Sequence, residues 1–159
     1  MNLQKDDYII VEIIPTNSQA DKGFIAQLSA LKLNGIKLVE RFDYRVDDKL
    51  IENADLRDLI KYDKKAFTYV DNQYFIIEKF KKWAKNLPLL IIEESYTLDY
   101  LKDLKNQKEL VFNYLDMEYG LDVFDRLRKK YSLEPSNHLV DLLYEAIIYE
   151  GNNKREKSE

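Results

Sequence analysis

The chain has no cysteine and a single histidine, His138. The first absence excludes disulfides, thiolate nucleophiles and cysteine-bound zinc, and the second excludes a histidine-rich metal centre. Only four glycines and three prolines occur in 159 residues. No Walker loop is present, no Gly-x-Gly-x-x-Gly follows the first apolar run, and there is no serine elbow and no His-x-x-x-His. No stretch approaches the roughly 20 apolar residues that span a bilayer. Met1 to Asp7 is polar and lacks the apolar centre of a signal peptide. These features lead to the expectation of a cytoplasmic protein without a membrane part, and the lack of cysteine fits a reducing compartment. Net charge is −4 and the isoelectric point is near 5.2. That balance weighs against tight, sequence-independent binding of nucleic acid, where cations neutralise phosphates. Two local basic clusters run against it: Lys79, Lys81, Lys82 and Lys85, then Arg126, Arg128, Lys129 and Lys130. Ordinary solvated helix faces are the plainer reading of both, and contact with nucleic acid is the other.

What is present is enough apolar material for a core: 45% of residues are hydrophobic, in runs separated by charged stretches. One domain over residues 1–151 is expected, with a polar tail from 152 to 159. Tyr8 to Ile14 is a nearly continuous apolar, β-branched run, the pattern of a strand covered on both faces. Pro15 ends it. Phe24 to Leu33 reads as a second strand and Ile36 to Val46 as a third. In the third, Ile36, Leu38, Phe42, Tyr44 and Val46 alternate with Lys37, Arg41, Asp43 and Arg45, which suits a half-exposed strand near a sheet edge. Asn34-Gly35 between them predicts a type I′ turn with positive φ at both residues. The three strands therefore form an antiparallel meander.

Helical spacing then takes over. Tyr74 to Lys85 places Ile76, Ile77, Phe80, Trp83 and Ala84 on one face. Leu89 to Ile92 is a short buried strand after Pro88, and Glu109 to Leu115 is a candidate fifth strand. Shorter helical patterns run over Asp55 to Lys61, Tyr96 to Leu104 and Glu118 to Lys130. The last helix has Leu139, Leu142, Leu143, Ala146 and Ile147 in phase. Ser136 or Asn137 caps its start and Gly151 ends it. Strands joined by crossover helices give an α/β domain, a mixed five-stranded sheet with helices on both faces.

The chemistry left open by these exclusions is that of carboxylates. Glu12 interrupts the apolar first strand near its C-terminal end, where α/β sheets commonly place their sites. A buried carboxylate is costly unless paired or metal-bound, whereas at a strand end reaching water it is an ordinary solvated group. Asp141 lies roughly opposite the apolar stripe of the last helix, which is the position of a solvated residue. Asp99 near a helix start is favoured by the helix dipole whatever its role. His138 and Asp141 stand three apart, the spacing of a surface pair. Most of the 12 tyrosines and seven phenylalanines fall on apolar faces and read as core, although rings of this kind can also stack bases.

Four segments carry a resemblance. Tyr8-Ile-Ile-Val-Glu-Ile-Ile-Pro-Thr16 is similar to the first motif of the DEDD 3′–5′ exonuclease superfamily in its histidine-bearing branch, the ribonuclease H-like proofreading domains of the DNA polymerase III epsilon kind. Gly23 to Leu33 with Arg41-Phe42 resembles that family's second and third strands. Leu89-Leu-Ile-Ile-Glu-Glu-Ser-Tyr-Thr-Leu-Asp99 is similar to the second motif. Ser136-Asn-His-Leu-Val-Asp-Leu-Leu-Tyr-Glu-Ala146 resembles the last. In that family four carboxylates hold two divalent cations, Mg2+ or Mn2+, that activate water and stabilise the leaving oxygen, and a histidine is the general base. The resemblance puts Glu12, Asp99 and Asp141 at three of the acid positions, as catalytic and metal-binding residues. Ile14 stands at the fourth and cannot bind a metal. Ser136 stands at the base position, with His138 two residues away, and Glu94 replaces the histidine of the second motif.

The resemblance thus implies an exonuclease-like domain with an incomplete acid set. Such a domain is a catalytically impaired module for single-stranded nucleic acid, DNA or RNA, or for a protein partner, with no cofactor. The alternative is an active divalent-metal-dependent 3′–5′ exonuclease in which Glu93 or Glu94 completes the site. A third option is an acidic interaction partner in a larger assembly with no nucleic acid involved.

Overall fold

The structure, a computed structural model, describes residues 2–17, 19–51, 67–92, 100, 109–112, 128–129, 132 and 139–158. The expected helix over Asp55 to Lys61, and most of those over Tyr96 to Leu104 and Glu118 to Lys130, lie outside them.

Among the described residues six strands form one mixed sheet: β1 (Asp7–Pro15), β2 (Ile25–Asn34), β3 (Lys37–Val46), β4 (Thr68–Val70), β5 (Leu89–Ile92) and β6 (Glu109–Phe112). Their order is β4-β3-β2-β1-β5-β6. β1 pairs antiparallel with β2 and β2 with β3, while β4, β5 and β6 join in parallel. The expectation of five strands omits β4, a three-residue parallel strand against Tyr44–Val46. Its sequence, Thr-Tyr-Val, is too short to show a period.

Among the described residues two long helices cover opposite faces of the sheet. Helix α1 (Gln73–Ala84) starts at Asn72, whose side chain accepts the Tyr74 amide. It ends at Lys85, whose backbone has φ 54° and whose N–H bonds back to the Lys81 carbonyl. Ile76, Ile77, Phe80 and Ala84 pack on Ile9, Val11 and Ile13 of β1. Helix α2 (Leu139–Ser158) buries Val140, Leu142, Leu143, Ala146 and Ile147 against Tyr8, Ile10, Leu31, Leu33 and Leu90. Successive β1 residues thus serve two cores, which is why the run Tyr8–Ile14 does not alternate with polar residues. Each such side chain contributes about 1.5–3 kcal/mol on burial.

The structure corrects three local expectations. The β2–β3 turn is Gly35-Ile36, flanked by the pair Asn34–Lys37. Gly35 has φ +59° and Asn34 does not have positive φ, so the pattern is that of type II′, with glycine first, and not type I′. Tyr8 and Tyr144 donate their hydroxyls to the carbonyls of Gly35 and Ile36, at 3.1 and 2.6 Å, fixing this turn to both β1 and α2. Second, α2 does not stop at Gly151 but continues through Ser158. Gly151 is buried within the helix, where a Cβ would meet the end of the Gln4 side chain, so it marks a close approach and not a helix end. Third, a register shift between Lys32 and Leu33 leaves Leu38 and Val39 exposed, although simple alternation puts Leu38 on the inner face with Phe42. Among the described residues no helix is long and apolar enough to cross a membrane.

Candidate functional site

The antiparallel register across β1, β2 and β3 places three rows of side chains on the face that α2 covers. They are Ile10–Leu31–Arg41, Glu12–Ser29–Asp43 and Ile14–Gln27–Arg45. The first row ends the apolar core beneath α2; the next two are mostly polar. Glu12, Ser29, Gln27 and Arg45 are all at least 95% buried. Rows lie roughly 7 Å apart along the strands and adjacent strands about 4.8 Å apart, so the polar layer is compact.

Glu12 is therefore not a strand-end residue reaching water. At 5% exposure it sits within β1, three residues before its end. Ile14 shares its face and is also buried, offering no oxygen. Thr16, just past the strand, accepts the Phe24 amide through its hydroxyl at 3.0 Å. Tyr100 donates its hydroxyl to the carbonyls of Asn17 at 2.6 Å and Gln19 at 3.1 Å, which holds the loop that follows β1.

Asp141 occupies the first turn of α2, with its side chain 29% exposed. Both of its oxygens are engaged by Arg41: Nη1 donates at 2.6 Å and Nη2 at 3.3 Å, a bidentate pair. Arg41 Nε donates to Asp43 at 3.2 Å. One guanidinium thus ties the helix to the second polar row. Burial by itself lowers the Arg41 pKa, but the bonds and charges of Asp141 and Asp43 outweigh it and raise the value above the usual arginine range. Arg45, in the third row, lies over the Tyr69 ring with its guanidinium carbon 4.9 Å from the centroid.

Several atoms in this layer lack hydrogen-bond partners: both amide atoms of Gln27, the Ser29 hydroxyl and one Asp43 oxygen. Each such atom costs about 1–3 kcal/mol unless water or a ligand satisfies it.

Of the three expected site residues, the structure puts Glu12 and Asp141 on one face of the sheet, while Asp99 lies outside the described residues. Glu93, Glu94, Ser136 and His138 lie outside them too. Among the described residues no three acidic or histidine side chains are grouped to hold a metal ion. Sequence pattern does not reveal the partner of Asp141. Arg41, Asp43 and Arg45 read as one exposed strand face, yet Arg45 is 3% exposed. The signal that could have found the layer is Gln27 and Ser29, two polar residues spaced by two inside the apolar second strand.

No protein-family model matches the chain, and no curated protein is detectably similar to it.

Proposed function

We propose that the chain is a ribonuclease H-like, exonuclease-type domain that has lost the means to hold catalytic metals and serves as a binding module for nucleic acid or a protein partner. The observation that carries the proposal is the bidentate Arg41–Asp141 pair. A carboxylate with both oxygens on a guanidinium is a poor cation ligand, and the same guanidinium repels a divalent ion arriving beside it. Ile14 supports the reading, because it stands beside Glu12 with no donor atom. The described residues therefore do not fit Mg2+ or Mn2+. Further support comes from the strand order, in which an antiparallel β3-β2-β1 set is extended by parallel β5 and β6, with the two acids on one face.

The test is hydrolysis of end-labelled single strands of DNA and of RNA with Mg2+ or Mn2+. The expected result is no degradation above a protein-free control. Metal-dependent 3′–5′ degradation that Asp141→Ala abolishes would overturn the proposal in favour of an active exonuclease. A salt-sensitive gel shift separates nucleic acid from a protein partner as the bound species.

A further inference from the structure

The outer face of α1 carries exposed aromatic and basic side chains. Its inner face is complete, with Ile76, Ile77, Phe80 and Ala84 in the core. Its N-terminus is already capped by Asn72. Yet Tyr74 and Phe75, in the first turn, are 67% and 49% exposed. Lys79, Lys81, Lys82 and Lys85 follow, all exposed, against a single acid, Glu78. Among the described residues no ion pair engages Lys79, Lys81 or Lys82. In a chain of net charge −4 this is a local concentration of positive charge.

Helical geometry orders these groups. Phe75, Lys79 and Lys82 follow the i, i+4, i+7 spacing and form one line along the helix. Tyr74, Lys81 and Lys85 form a second line beside it. Each begins with an aromatic ring and continues with ammonium groups. From Phe75 to Lys82 the axis advances about 10 Å, at roughly 1.5 Å per residue, which spans neighbouring phosphates of an extended strand.

We infer that the outer face of α1 binds single-stranded nucleic acid, with Tyr74 and Phe75 stacking on bases and the lysines neutralising phosphates. Stacking requires unpaired bases, which favours a single strand over a duplex. Protein interfaces also use aromatic rings but are depleted in lysine, so two rings set among four exposed lysines suit a polyanion with π-faces better than a protein partner. An anionic membrane shares the attraction to lysine, but a helix lying in a membrane surface buries a broad apolar face, and that of α1 is already packed in the core. The inference rests on the nucleic-acid branch of the proposed function. It places the bound strand on the side of the sheet opposite Glu12 and Asp141, since α1 and α2 pack on opposite faces.

The experiment measures binding of the full chain to a fluorescent thymidine homopolymer by anisotropy over a salt series. K79E/K82E should weaken binding at least about tenfold and make the salt slope shallower by about 0.7 for each phosphate no longer neutralised. Y74A/F75A should weaken binding about tenfold with the slope unchanged. All four positions are exposed, so circular dichroism should show the fold intact. Strand binding that ignores both variants but falls on R41A would overturn the α1 placement and leave the nucleic-acid reading standing. No strand binding at low salt would overturn both, and lysine-dependent capture by phosphatidylserine vesicles in its place would assign the face to a membrane surface.

Discussion

The two faces of the sheet use the same strands and differ in what they ask of them. On the α1 side, Val11, Ala30 and Phe42 lie in one row, and the Phe42 ring meets Phe80 edge-on at 5.5 Å and Trp83 at 5.2 Å. This face is apolar where the helix crosses it. On the α2 side the apolar rows stop at Ile10 and Leu31, and Glu12, Ser29, Asp43, Gln27 and Arg45 follow at once. One face consolidates the fold. The other carries buried polar groups whose desolvation must be offset.

The sharpest way to break this comparison is on the packing face. Phe80→Ala should cost about 3–5 kcal/mol and lower Tm by about 10 °C, because it empties the centre of the aromatic cluster. A loss below about 1 kcal/mol in urea unfolding would show that α1 is not the consolidating side. On the polar face, Gln27→Met should raise stability by about 1–2 kcal/mol, since it removes two unpartnered amide atoms at similar volume. If thermal unfolding shifts downward, ordered water or a ligand already satisfies that amide. Lys32→Met should cost about 1 kcal/mol. Lys32 donates to the Trp83 carbonyl at 2.7 Å and lies over the Trp83 ring, 4.4 Å from its centroid, so its replacement removes a C-terminal helix cation while keeping the apolar stem. The smallest effect is expected for the Arg41–Asp141 pair: a double-mutant cycle with Arg41→Met and Asp141→Asn should give a coupling of about 0.5–1 kcal/mol, reduced by salt. A coupling of several kcal/mol would mark the pair as a principal fastening of α2 and not a surface link.

Much of this architecture is legible residue by residue. The β-branched run at Tyr8–Ile14 shows a strand with two covered faces, and the spacing of Ile76, Ile77, Phe80 and Ala84 shows the buried side of α1. Gly35 marks the turn, although its type depends on which residue takes positive φ. Gly151 misleads because glycine both ends helices and permits close approach, and only the position of Gln4 distinguishes the two. The polar layer is harder to see. Arg45 alternates with Tyr44 and Val46 as an exposed residue would, and its burial comes from neighbours distant in sequence.

Local pattern alone determined every strand but the short β4, the two amphipathic helices, and the absence of cysteine, glycine-loop and histidine-cluster chemistry, because periodicity and composition act over a few residues. Tertiary structure decided which acid meets which base. Arg41 and Asp141 are a hundred positions apart, and no local rule ties a third-strand guanidinium to the first turn of the last helix. Their pairing follows from the register of the sheet and the docking of α2, and with it the chemistry open to Asp141.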